Sequence, residues 1–264
     1  RAMDIASLVG IGLAFGAVIM SMIMEGGDPM VLIHHPAPIV LVLGGTIGVT
    51  MAGYDLKDVT GIVKVALKVF MPGPPIEAAD SIETVVHFAD KARRDGLLAL
   101  EEEAKDVDDP FLRKGLQLAI DGTDPEIVRD VLETEIFALK ERHKIGAKFF
   151  ADMGAFAPTL GIIGTVLGLV HMLENLDDPS SMGPLIAAAF IATLWGVMLA
   201  NLVCLPMSNK LKRASSEEVH HKELVLEGVL AIQAGANPRT VTEKLKSYLP
   251  PSQRDEIGDE KQSA

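Results

Sequence analysis

Residues 156–173 read FAPTLGIIGTVLGLVHML, an apolar stretch without a single Lys, Arg, Asp or Glu. Pro158, Thr159, Thr165 and three glycines interrupt it, and these are unusual residues for the core of a soluble protein. A helix rises 1.5 Å per residue, so about twenty apolar residues cross the roughly 30 Å hydrocarbon core of a bilayer. We therefore interpret the stretch as part of a membrane-spanning helix.

Blocks of this kind occur four times in the chain of 264 residues. Uncharged apolar runs cover residues 5–24, 31–52, 153–173 and 185–207. They predict an all-α integral membrane protein with spans at residues 3–24, 31–52, 150–173 and 185–207. The first block is expected to be a retained helix rather than a signal peptide, because it lacks a basic n-region and is longer than a typical h-region. Arg1 and Ala2 precede Met3, a candidate initiator.

The basic residues predict the orientation of these spans. Of the 24 Lys and Arg, 14 lie in residues 53–149 and nine follow Pro206, whereas the connectors 25–30 and 174–184 contain none. By the positive-inside rule, both termini and residues 53–149 face the cytoplasm. We predict a helical cytoplasmic domain at 53–149, and a cytoplasmic helix followed by a disordered tail within 208–264.

The predicted cytoplasmic segment contains residues that typically begin or end helices. Apolar residues recur at helical spacing up to Gly96 and again up to Gly122, and glycine is the usual residue just past a helix end. Thr123 and Glu126 have the spacing of a capping box at the start of the next helix. From Glu126 to Ile145 the sequence has no Gly or Pro, so this helix is expected to continue into the third span.

The sequence lacks the usual signatures of an enzyme. It has no phosphate-binding loop, no metal-spaced Cys/His cluster and no Ser-His-Asp candidate, and nothing indicates a cofactor or nucleic-acid binding. Its one cysteine, Cys204, lies inside an apolar block and is expected to be a buried thiol. Because no block contains a carboxylate, any ion crossing here needs a carboxylate from another chain.

The polar and small residues of the blocks allow two interpretations. GxxxG spacings occur at Gly12 and Gly16, Gly44 and Gly48, and Gly164 and Gly168, and predict close helix packing. Pro158 removes a backbone hydrogen bond inside the third span, which indicates a hinge or a hydrated seam, and Pro206 is expected to close the fourth. Thr165 and Thr193 are either packing residues or oxygen ligands for a cation.

Several longer motifs together carry a resemblance to a known family. The motifs APTLGIIGTVLGLVHMLENLDDPSSMGP, IATLWGVMLANLVCLPMSNKL, ARRDGLLALEEE and AIQAGANPRTV resemble the MotA/PomA stator subunits of the bacterial flagellar motor, in the MotA/TolQ/ExbB superfamily. The resemblance covers Met3 to about Leu249 and is strongest to PomA-type members. It implies a multi-pass protein of the bacterial inner membrane that forms five copies around two copies of a single-span MotB/PomB partner, which supplies the ion-binding aspartate.

The resemblance also implies site residues. Pro158 and Pro206 match the prolines that couple ion flow to movement. Arg93 and Glu101, with Arg94, Glu102 and Glu103 beside them, match the charged residues that meet the rotor protein FliG.

The residues of the third and fourth spans favour sodium as the transported ion. A proton needs only the partner's aspartate, whereas Na⁺ needs several neutral oxygens to replace its lost water. Thr165 lies two turns from Pro158 on nearly the same helix face, and family members with threonine at this position tend to be sodium-driven. The alternatives are a proton-driven MotA-type stator, an ExbB/TolQ-like energiser of the cell envelope, and a membrane scaffold without ion flux.

Overall fold

The structure is a computed structural model that describes residues 5–70 and 78–254, and every regular element in this part of the chain is helical. The start of the first predicted span, at residue 3, and residues 255–264 of the predicted disordered tail lie outside these residues. The prediction of a single helix within 208–264 is wrong, because two short helices, Pro238–Lys246 and Pro251–Arg254, follow the one that ends at Gln233. The helices are α1 (Ile5–Met24), α2 (Pro36–Met51), α3 (Leu56–Phe70), α4 (Ala78–Asp95), α5 (Glu101–Lys105), α6 (Pro110–Ile120), α7 (Pro125–Glu174), α8 (Pro179–Gln233), α9 (Pro238–Lys246) and α10 (Pro251–Arg254).

Three of these helices are long and apolar enough to cross a membrane, namely α1, α7 and α8. The remaining predicted span, the second at residues 31–52, is interrupted: a single turn at Val31–His34 ends at His35, and α2 begins at Pro36. Proline lacks the N–H that an upstream carbonyl would need, so it favours the first position of a helix over its interior. The apolar helix in the second span is therefore shorter than the block that predicts it.

Helix α7 is one unbroken helix of 50 residues, as the run without Gly or Pro before the third span predicts. Its cap differs from the predicted capping box. The Asp124 side chain accepts a hydrogen bond from the Glu126 backbone N–H at 2.8 Å. Thr123 instead accepts a hydrogen bond from the Gln233 side-chain amide through its backbone carbonyl. The capping-box prediction at Thr123 is wrong, because Pro125 occupies the first helical position and so makes Asp124 the N-cap.

Two π-helical turns lie inside the apolar helices, at Val40–Gly44 in α2 and at Leu199–Cys204 in α8. The second one ends two residues before Pro206, and α8 continues to Gln233. Pro206 therefore does not end the helix, and the end of the fourth span at this residue stays a prediction. A π turn shifts the backbone hydrogen-bonding register, and that local adjustment tolerates a proline without ending the helix.

The chain forms two compact units, one of residues 1–74 and 143–213, the other of residues 75–142 and 214–264. The second unit has a contiguous apolar core, with fully buried members that include Val85, Leu100, Leu116, Leu132 and Val229. Gly96 (φ +84°) and Gly122 (φ +73°) stand just past the ends of α4 and α6, in a left-handed backbone conformation that glycine adopts without strain. Both predicted helix ends are confirmed.

Candidate functional site

The two threonines singled out in the sequence lie together between α7 and α8. Their hydroxyls are hydrogen-bonded to each other. The Thr165 Oγ1 also lies 3.0 Å from the carbonyl oxygen of Ala189 and 3.2 Å from that of Gly161. The Thr193 Oγ1 lies 3.5 Å from the same Gly161 oxygen. The result is a cluster of four uncharged oxygens, which we call the oxygen cluster.

The oxygen cluster carries fewer protons than acceptor sites. Each hydroxyl has one proton, and each hydroxyl and carbonyl oxygen has lone pairs for two acceptor bonds. Thr165 and Thr193 therefore cannot donate to every oxygen within reach at once. Both threonines are half-buried, and surplus lone pairs on neutral oxygens that lie close together are the kind of ligand that replaces the hydration shell of a monovalent cation.

Glycines allow α7 and α8 to approach closely enough to form this cluster. A Cβ on Gly161 would lie 2.9 Å from the Ala192 carbonyl oxygen, and one on Gly196 would lie 2.6 Å from the Ala157 carbonyl oxygen. Gly164 and Gly168 are equally tight against Ala192 and Ala189 respectively. The GxxxG pair of the third span therefore packs as predicted. The pairs at Gly12 and Gly16 and at Gly44 and Gly48 have nothing within 4 Å of an added Cβ.

Pro158 lies inside α7, seven residues before Thr165 and half-buried, and no helix end accompanies it. On the N-terminal side of Pro158, α7 is held by polar contacts. The buried Ser208 hydroxyl donates to the Ala147 carbonyl at 2.8 Å, and the Tyr54 hydroxyl donates to Asp152 at 2.7 Å. Burial, the hydrogen bond to Asp152 and its charge raise the pKa of Tyr54, so the hydroxyl keeps the proton that it donates.

Sequence reasoning missed Ser208, Tyr54 and Asp152. The sequence feature that these three residues share is that each lies next to the end of an apolar block. Tyrosine is also enriched at the ends of membrane spans. Position alone does not show that Tyr54 and Asp152, 98 residues apart, meet. Only the antiparallel packing of α2 and α7 brings them together.

Four of the predicted rotor-contact residues lie on either side of the break between α4 and α5 and are exposed: Arg93, Arg94, Glu101 and Glu102. Two of them form intramolecular ion pairs, Arg94 with Asp90 at 2.6 Å and Glu101 with Lys105 at 3.3 Å. The adjacent Glu103 binds Lys91 and His87, and these two hydrogen bonds lower the pKa of its carboxyl group.

Arg93 and Glu102 differ from these neighbours. Within residues 5–70 and 78–254, neither has a hydrogen-bonding or ionic partner. The structure thus places all the predicted charged residues at one helix break, where Arg93, Glu102 and the neighbouring Asp95 have no partner among the described residues.

Two protein-family models match separate parts of the sequence. Residues 103–224 match the MotA/TolQ/ExbB proton channel family, and residues 8–96 match the family described as motility protein A N-terminal. Motility protein A of Bacillus subtilis is 38% identical over 252 residues, covering 96% of this chain and 93% of the relative. Chemotaxis protein PomA of Vibrio alginolyticus is 40% identical over 247 residues, covering 94% and 96%.

Solved structures show the same similarity in three dimensions. A chain in the flagellar MotAB stator complex from Bacillus subtilis superposes with a TM-score of 0.90 at 37% identity, covering 97% of this chain and 100% of that chain. A chain in the C. jejuni MotAB structure superposes with a TM-score of 0.89 at 31% identity, covering 94% and 97%. The similarity includes both compact units and both family-matched regions.

Proposed function

Because the chain belongs to the MotA/TolQ/ExbB proton channel family, and within it to the motility protein A group, we propose that it is a stator subunit of the bacterial flagellar motor. The observation that carries the proposal is the end-to-end superposition on a chain of a MotAB stator complex. In this role the protein is part of an ion channel that generates torque, and it is not an enzyme.

The subunit works with a MotB-type partner. The apolar blocks contain no carboxylate, so the partner's membrane helix supplies the aspartate that binds the ion. The chain resides in the bacterial inner membrane as a multi-pass protein, with four spans and both termini in the cytoplasm. Five copies surround two copies of the partner, and residues around Arg93 and Glu101 contact the rotor protein FliG.

Ion flow is coupled to movement through α7 and α8. Pro158 lies between the oxygen cluster and the contacts of Ser208 and Tyr54, so it is the weakest point of the α7 backbone hydrogen bonding between two anchored stretches. Pro206 lies two residues after the π turn of α8 and gives that helix a corresponding weak point. Movement at the oxygen cluster therefore bends α7 and α8 at these two prolines.

Sodium is the coupling ion in this proposal. The oxygen cluster offers two hydroxyls and two carbonyl oxygens beside the seam between α7 and α8, where the partner's aspartate would complete the coordination. A proton needs none of these oxygens. Coupling to protons remains the alternative, and in that case Thr165 serves only to pack α7 against α8.

The ExbB/TolQ alternative is less well supported than the stator. Residues 8–96 match a family defined by motility protein A, and relatives described as motility or chemotaxis proteins align over more than nine tenths of the chain. An energiser of the cell envelope would share only the channel region at residues 103–224.

Expression in a non-motile strain that lacks its own stators tests the proposal. Together with its MotB-type partner, the chain is expected to restore flagellar rotation and to co-purify with a single-span protein that has a membrane aspartate and a peptidoglycan-binding domain. A chain that inserts into the membrane, purifies without such a partner and restores no rotation would contradict the stator assignment.

A further inference from the structure

The turn after α4 exposes an apolar side chain. Residues Leu97–Leu100 form a single 3₁₀ turn between Gly96 and α5. Leu100 is fully buried, and Leu97 packs against the same core. Leu98, between them, is 75% exposed, more than any other large apolar residue described in this compact unit.

The geometry of the turn fixes this exposure. A 3₁₀ helix has three residues per turn, so Leu97 and Leu100 lie on one side and Leu98 lies on another. Gly96, with φ +84°, sets the direction in which the turn leaves α4. Leu98 cannot turn inward without withdrawing the two leucines that anchor the turn. Its exposure is therefore a property of the fold.

An exposed leucine is common on protein surfaces and means little by itself. The charges around Leu98 make this one different. Arg94, Glu101 and Glu103 are all engaged by neighbouring side chains, whereas Arg93 and Glu102 have no partner among the described residues. Arg93 lies in the last turn of α4 and Glu102 in the first turn of α5, so these two unpartnered charges flank the turn that carries Leu98.

Phe137 provides a comparison within the same unit. It is 64% exposed and borders a groove that also contains Arg129, Glu133 and Glu227. Arg129 binds both glutamates, at 3.1 Å from Glu227 and 3.4 Å from Glu133, whereas Lys140 in the same groove has no partner among the described residues. Phe137 is therefore an exposed apolar side chain of the same unit that lies outside the charged cluster at the break between α4 and α5.

We propose that Leu98 is the apolar anchor of the rotor contact. The matching rotor surface then presents an apolar cleft for Leu98, with an acidic side chain placed to meet Arg93 and a basic one placed to meet Glu102. This inference rests on the rotor contact in the proposed function and assigns its central residue. It follows the usual anatomy of protein interfaces, in which a desolvated apolar centre carries most of the affinity and a charged rim gives orientation and on-rate.

The test compares variants of the full stator complex, reconstituted with its partner subunit, for binding to the purified rotor protein across a range of salt concentrations. Leu98→Ala is expected to weaken binding about tenfold at every salt concentration, because salt screens exposed charges and leaves apolar burial intact. Leu98→Met is expected to retain most of the affinity. Arg93→Glu and Glu102→Lys are expected to weaken binding mainly at low salt and to flatten its salt dependence.

Phe137→Ala is the matched control, since it removes a side chain of similar exposure and is expected to leave binding unchanged. Thermal unfolding of the Leu98→Ala complex is expected to match the wild type, which separates an anchor from a folding residue. If Leu98→Ala binds the rotor protein as tightly as the wild type does and Arg93→Glu binds it weakly, Leu98 is not the anchor, but the rotor contact remains supported. Unchanged binding in all these variants would overturn the rotor contact itself. Equal losses in Leu98→Ala and Phe137→Ala, or a destabilised Leu98→Ala complex, would also overturn the anchor.

Discussion

Gly196 shows how tightly single residues set the spacing of α7 and α8. A Cβ there would lie 2.6 Å from the Ala157 carbonyl oxygen and 3.1 Å from the Gly161 Cα, and both of these are backbone atoms. Backbone cannot rotate away as a side chain can, so an added methyl group must push the helices apart. The oxygen cluster would then widen, because Thr165 and Thr193 stand on these same two helices.

We expect Gly196→Ala to lower the free energy of unfolding by about 1–3 kcal/mol, the usual cost of overpacking. Thermal unfolding of the purified subunit in detergent measures this. Gly48→Ala is the control, because Gly48 is also helical but has nothing within 4 Å of an added Cβ. Equal unfolding temperatures for the two variants would show that α7 and α8 have more freedom than their contacts indicate.

At the scale of elements, one carboxylate joins three helices of the second unit. Glu227 of α8 binds Arg129 of α7 and Lys244 of α9, and its side chain is only 15% exposed. Burial raises the pKa of Glu227, but the hydrogen bonds from Lys244 and Arg129 outweigh burial and leave the pKa below its usual value. The folded state therefore binds this proton less tightly than the unfolded chain does.

The stability that Glu227 contributes to the folded state depends on pH. The stabilisation by Glu227 is fully present above the unfolded-state pKa of about 4.3, and it is lost as the pH falls from there through the lowered folded-state pKa. We expect Glu227→Gln to reduce stability at pH 7 and to weaken the loss of stability below about pH 4.3. Thermal unfolding from pH 3 to pH 7 tests this, with the more exposed Glu133→Gln as control. Parallel curves for Glu227→Gln and the wild type would contradict the prediction.

Sequence reasoning worked well for elements specified by local chemistry. The absence of Gly and Pro from Glu126 to Ile145 predicts the continuity of α7, and glycine at positions 96 and 122 predicts two helix ends. It failed where distant contacts decide the outcome. The contact of Tyr54 with Asp152, 98 residues apart, and the choice of which GxxxG pair packs both depend on neighbours that the local pattern does not specify.

At the scale of the whole molecule, the rotation of motors that contain these stators tests which ion is transported. We expect a motor with these stators to stop as external sodium is removed at constant pH and constant membrane potential. Thr165→Ala is expected to abolish rotation even in sodium, and Thr165→Ser to preserve much of it, because serine keeps the hydroxyl. Rotation of tethered cells at a fixed load is the measurement.

Thr159→Ala is the control for this experiment. The Thr159 hydroxyl is exposed and donates to the Phe156 carbonyl within α7, so its removal leaves the oxygen cluster intact. Motors with this variant are expected to rotate in sodium as the wild type does. Persistent rotation of the wild type without sodium would indicate protons and leave Thr165 with a packing role.

The glycines of α1 and α2 have a consequence for how this gene can vary. Gly12, Gly16, Gly44 and Gly48 have open space around them in the folded chain, so alanine at these positions is compatible with the fold of one subunit. If selection nevertheless keeps them as glycine, the constraint must come from a molecule outside the chain. A saturation-mutagenesis library selected for swimming would therefore outline, glycine by glycine, where a neighbouring protein approaches α1 and α2 and where only fluid lipid does.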